Sequence, residues 1–138
     1  MPSSTRRNAR ILAFQIIYSR EKIGILDSGE SILFKEYPLS KEYQGFCQEL
    51  VTLTWQRIEE IDAKIQQYLV NWSQYRLADT LNALMRTSIC ELMFFPNTDG
   101  KVVLNEAIEI CRNHVDNKAT KMLNGVLHSV WQDTLTDQ

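Results

Sequence analysis

Residues 4–20 read "STRRNARILAFQIIYSR", and their spacing sets the fold class. Ala9, Leu12, Ala13, Ile16 and Ile17 recur at i, i+3, i+4, i+7 and i+8, the single buried face of an α-helix. Ser3, Ser4 or Thr5 can cap this helix, which runs to about Arg20. Arg7, Ile11, Phe14 and Tyr18 form a second stripe, displaced from the first, with Arg10 beside it and Arg6 at the margin between the two faces. Guanidinium groups next to aromatic rings suit single-stranded RNA, because arginine pairs with phosphate and unstacked bases lie on aromatic faces. The competing reading places Phe14 and Tyr18 in the core and leaves the arginines to solvate a helix start. Against it, cations in a first turn oppose the helix dipole, and a nearby anion relieves that cost.

The cluster is a local feature of the chain. The protein has 138 residues and a formal net charge of -2. Residues 1–22 carry five basic side chains against one acidic, and the rest of the chain carries ten basic against sixteen acidic. That asymmetry points to an anionic partner for one end. The length fits a single domain over 1–138, able to hide roughly 68% of its unfolded surface. Cys47, Cys90 and Cys111 are odd in number and scattered, which fits a reducing cytoplasmic setting better than a disulfide framework. No apolar run is long enough to span a membrane. The Arg-rich, acid-poor start also matches the pattern of a mitochondrial presequence, which stands as a separate alternative.

Helical periodicity continues to the end of the chain. A turn through Gly24 and "DSGES" leads to a short helix at 29–36. Ser40 opens one long helix with Phe46, Leu50, Leu53, Ile58, Ile61, Ile65 and Leu69 facing inward, ending near "NWSQ". A helix over about 75–95 carries Leu77, Leu81, Leu84, Met85, Ile89 and Leu92, and Pro96 with "PNTDG" stops it. Residues 102–114 form the next, and Asp116 or Asn117 caps a last helix through Met122, Leu123, Val126, Leu127, Val130 and Trp131. "KVVL" is the one β-branched cluster, and a helical pattern starts inside it. The fold class is all-α.

Lys118 and Lys121 lie in the first turn of the last helix, where free N–H groups also attract anions. With Arg6, Arg7 and Arg10 they make five phosphate contacts, a salt slope of roughly -3.5 on single-stranded RNA. Gly125, disfavoured inside a helix, suggests close approach by another helix, and Asn124 beside it reads as a buried hydrogen-bonding residue. Catalysis finds little support. Cys111 and His114 form a lone C-x-x-H without a second ligand pair, Cys90 sits on an apolar face, and no phosphate-cradling glycine loop or nucleophile elbow occurs. Glu59–Glu60, Glu106 and Glu109 read as solvated helix surface, and no catalytic residue, metal or cofactor is expected.

Three stretches together resemble the NusB family of transcription antitermination factors: "RRNARILAFQIIYS", then "NWSQYRL" with "MRTSICEL", then "VVLNEAIEICR" with "TKMLNGVL". The resemblance covers nearly the whole chain, in order. It implies a NusB-like all-α bundle of two packed helical subdomains, with no enzymatic activity. It implies binding of boxA-type single-stranded RNA together with NusE, a small-subunit ribosomal protein, on an RNA polymerase elongation complex with other Nus factors, in ribosomal RNA transcription. Some members form homodimers. Carried over by motif, the RNA-facing positions are Arg6, Arg7, Arg10, Tyr18, Lys118, Lys121 and Met122, and Arg76 falls on the NusE-facing surface. Leu81 and Asn82 stand where the family often has an acidic–basic pair, and Cys90 where Tyr is usual. His114–Val115 lacks a common glycine, and Met122 replaces a common aromatic, removing a stacking platform. The alternatives are a NusB-like protein–protein module without RNA binding, and the NusB-like domain of a ribosomal RNA methyltransferase. For the second, the chain ends near "TLTDQ" with no room for a cofactor-binding domain.

Overall fold

The computed structural model describes residues 5–24, 30–36, 38–70 and 73–136. It contains α1 (Arg6–Ile23), α2 (Glu30–Glu36), α3 (Lys41–Gln56), α4 (Ile58–Tyr68), α5 (Asp79–Phe94), α6 (Gly100–His114) and α7 (Thr120–Thr136). Two short 3-10 turns, Gln74–Arg76 and Asn117–Ala119, precede α5 and α7, and no strand occurs among the described residues. Asp27, Asn71 and Trp72, expected in turns, lie outside the described residues, as do Ser3 and Ser4.

Local chemistry sets most of the boundaries. The Thr5 side chain accepts a hydrogen bond from the Asn8 N–H at 3.1 Å, capping α1. At its other end Gly24 takes φ 84°, a conformation that L side chains resist, while its N–H donates to the Arg20 carbonyl. Ser40 caps α3 through the Tyr43 N–H, and Asp99 caps α6 through the Lys101 N–H. Asp116 caps the turn before α7 through the Lys118 N–H.

The single helix expected from 40 to 69 is instead two, parted at Arg57 (φ -107°, ψ 20°). The Thr54 hydroxyl donates to the Leu50 carbonyl at 2.7 Å, a back-bond that bends a helix just before the break. The bend lets α3 pack on α1 and α5 while α4 packs on α5 and α7. Apolar spacing continues across Arg57, so periodicity alone misses it.

α5 is the centre of the bundle and packs against α1, α3, α4, α6 and α7. Every residue from Leu81 to Glu91 is buried. The sequence pattern gives this helix one apolar face, yet its polar face is buried too, because its polar groups find partners. Arg86 donates to both Asp62 oxygens (2.8 and 2.9 Å) and to Glu21 (2.6 Å). Burial opposes its charge, but the hydrogen bonds and charges of Asp62 and Glu21 more than offset this and raise its pKa. Asn82 accepts from Gln74, and Thr87 donates to the Leu84 carbonyl. Among the described residues no buried side-chain N or O atom lacks a hydrogen-bond partner.

Candidate nucleic-acid interface

The first turn of α1 separates its three arginines into three environments. Arg6 is exposed, its guanidinium 4.4 Å from the Phe46 ring centre and 5.9 Å from that of Tyr43. Arg7 is half-exposed, with 47% of its side chain accessible, and its Nε donates to Glu106 of α6 at 2.5 Å. That hydrogen bond, then the Glu106 charge, raises the Arg7 pKa.

Arg10 departs from the expected RNA-facing role. Its side chain is 7% exposed, and two guanidinium nitrogens hold both oxygens of Glu91 at 2.8 and 2.6 Å. A guanidinium enclosed this far in the fold, with its charge already paired to Glu91, is out of reach of a phosphate at the surface. Phe14 is likewise core, so the second stripe on α1 is interrupted between Arg7 and Tyr18. Tyr18 remains on the surface at 36% exposure. Lys22, one turn further on, pairs with Asp79 at the start of α5.

The second cationic group stands at the end of α6. Lys118, in the 3-10 turn, and Lys121, in the first turn of α7, are exposed and outside any ion pair found among the described residues. Met122 is partly buried against the core and leaves little ring-sized surface. α6 links the two groups, since Glu106 at its middle meets Arg7 and the turn carrying Lys118 packs on it. Arg76 is exposed in the turn before α5.

Two expectations about α7 are overturned. Asn124 is exposed rather than buried, and Gly125 has nothing within 4 Å of where a Cβ would stand. No helix approaches there. Lys121, Asn124, Gly125 and His128 instead line one exposed helical face at i, i+3, i+4 and i+7.

Sequence reasoning missed the acidic partners. Glu91 sits in the apolar run "SICELMFF", and an acid in such a run needs a buried base, a signal that was available. Glu106 reads as surface until α6 is laid beside α1. Cys111 is buried and its thiol donates to the Asp116 carbonyl, whereas His114 is exposed, so the C-x-x-H pair does not converge. Among the described residues no group of three or more His, Cys, Asp and Glu could hold a metal ion. No helix among them is long and apolar enough to cross a membrane.

Fold and site together define an all-α bundle with cationic surface at two helix starts joined by α6. The NusB family profile matches residues 7–132. The transcription antitermination protein NusB of Lysinibacillus sphaericus (strain C3-41) is 34% identical over 122 residues, covering 88% of this chain and 93% of that protein. That of Bacillus licheniformis is 33% identical over 128 residues, covering 93% and 97%. A crystal structure of antitermination factors NusB and NusE in complex with dsRNA superposes with TM-score 0.82 at 27% identity, over 93% of this chain and 96% of that one. The solution structure of NusB from Aquifex aeolicus gives TM-score 0.79 at 28% identity, over 96% and 91%. The chain belongs to the NusB family.

Proposed function

We propose that this protein is a cytoplasmic RNA-binding transcription antitermination factor. It acts as one domain and binds boxA-type single-stranded RNA with the ribosomal protein NusE. The pair joins RNA polymerase and other Nus factors in ribosomal RNA transcription. The protein works by positioning RNA, without covalent chemistry or a cofactor.

The observation that carries this reading is the pair of exposed cationic groups, Arg6 and Arg7 at the start of α1 and Lys118 and Lys121 around the start of α7. Both lie at helix starts, where the dipole disfavours cations and a phosphate relieves them. Tyr18 supplies an accessible ring for an unpaired base on the same helix. The resemblance to a NusB–NusE–RNA complex supports both partners. Arg76, exposed beside α5, is assigned to the NusE side.

An RNA shift assay tests the reading, using boxA RNA, a scrambled strand and a duplex of equal length, each with and without NusE. The expected result is tightest binding to single-stranded boxA and a further gain with NusE. Equal affinity for boxA and scrambled strands in the presence of NusE overturns it.

A further inference from the structure

A cleft of about 590 Å³ opens beside Arg6, between α3 and the segment joining α5 to α6. Phe46, Phe94 and Phe95 supply its aromatic side. Phe95 meets Phe46 edge-to-face, with ring centres 5.7 Å apart. Arginine flanks this row at both ends: Arg6 stacks over Phe46, and Arg57 lies 5.7 Å from the centre of Phe94. The opposite wall is acidic. Glu42 and Glu49 on α3 are exposed, line the cleft, and belong to no ion pair found among the described residues.

Gly45 stands between those two carboxylates on the same helical face. It disfavours the helix and touches nothing, since a Cβ there would meet no atom within 4 Å. What the glycine provides is an open wall, because any larger side chain would stand in the cleft.

Phosphate alone fits this set poorly, since two carboxylates repel it. A basic peptide also fits less well than a ligand carrying both an anion and donors, since Arg6 lines the cleft and repels it. A nucleotide satisfies all the groups together. Its phosphate meets Arg6, its base lies against Phe95 and the outer face of the Arg6 guanidinium, and its edge donates to a carboxylate. Guanine matches best, because its adjacent N1–H and N2–H donors suit the two oxygens of one carboxylate. We propose that the cleft, which shares Arg6 with the first cationic group, is an accessory RNA subsite that takes one unpaired guanine. The inference rests on the RNA-binding reading and extends it with a base-selective pocket.

The test is an NMR titration of the ¹⁵N-labelled full chain with guanosine 5′-monophosphate, uridine 5′-monophosphate and inorganic phosphate. Guanosine monophosphate is expected to move the amides of Gly45, Phe95 and Asn97 and to saturate, and the other two are expected to leave Phe95 and Asn97 in place. Exchanging both acids (Glu42→Gln with Glu49→Gln) is expected to weaken guanosine monophosphate about tenfold, as loss of charge-assisted hydrogen bonds does. Gly45→Phe is expected to abolish the shifts while thermal melting stays cooperative. Equal shifts from uridine monophosphate or phosphate overturn the proposal, as does undiminished binding by folded Gly45→Phe. An oligo-arginine peptide that moves these amides at lower concentration than guanosine monophosphate also overturns it, in favour of protein docking. Failure here with boxA affinity intact removes only this subsite. Failure of boxA binding with the guanosine shifts intact removes the broader reading instead.

Discussion

Arg10 of α1 and Glu91 of α5 form a bidentate ion pair across 81 residues of sequence, with side chains 7% and 1% exposed. The pair fixes α1 against the central helix one turn from Arg6 and Arg7. Removing one partner strands a buried charge, so Arg10→Ala or Glu91→Ala is expected to cost about 3–5 kcal/mol of stability. The double variant Arg10→Met with Glu91→Leu, which removes both charges and keeps volume, is expected to recover most of that loss. Urea unfolding of all three proteins measures it. A double variant as unstable as the worse single one contradicts this account.

With Arg10 enclosed, four cations remain for phosphate: Arg6, Arg7, Lys118 and Lys121. The expected slope of log affinity against log salt on single-stranded RNA therefore falls from roughly -3.5 to roughly -2.8. Arg7→Ala is expected to weaken boxA binding and flatten the slope by about 0.7. Glu106→Gln, which releases Arg7 from its partner, is expected to tighten binding at low salt. Anisotropy titrations at several salt concentrations check both. An unchanged slope for Arg7→Ala removes Arg7 from the interface.

The α-helical class, most helix boundaries and the cationic helix starts were legible in the sequence because each rests on local rules of period, cap and charge. Arg10 was not. Its place on the helix differs little from that of Arg7, and what buries it is a carboxylate on another element. α5 shows the same limit: an amphipathic pattern assigns Asn82, Arg86 and Glu91 to solvent. Only the placement of Gln74, Asp62, Glu21 and Arg10 around them allows their burial. The break at Arg57 carries no glycine or proline, so its one local sign is the hydroxyl of Thr54.

The three thiols are all buried among the described residues and all free. Burial pushes Cys47 up to about 12 and Cys90 up to about 11, and it raises Cys111 as well. The thiolate is the reactive form, so at pH 8 the folded protein is expected to resist alkylation, and the urea-unfolded chain to react at all three. Raising the pH from 7 to 9 is expected to leave the labelling of folded-state Cys47 and Cys90 dependent on opening, because those two native thiols stay protonated throughout that window. Mass spectrometry after timed iodoacetamide treatment checks this. Rapid native labelling at Cys47 contradicts it.

Two glycines inside helices are expected to respond in opposite directions to the same substitution. At Gly125 a Cβ meets open space, so Gly125→Ala is expected to stabilise α7 by about 0.5–1 kcal/mol through helix propensity and a less flexible unfolded chain. At Gly100, the first residue of α6, a Cβ would stand inside 3.0 Å of the Trp131 indole. That ring is half-buried against the core and must turn or shift, so Gly100→Ala is expected to destabilise by about 1–3 kcal/mol. It is also expected to change the near-ultraviolet circular dichroism of Trp131. Trp131 and the C-terminal half of α7 thus hold the α5–α6 turn in place, whereas a Cβ at Gly125 would meet no atom within 4 Å. Equilibrium unfolding of the two alanine variants separates the cases, and equal stabilisation by both would show that Trp131 does not press on the start of α6.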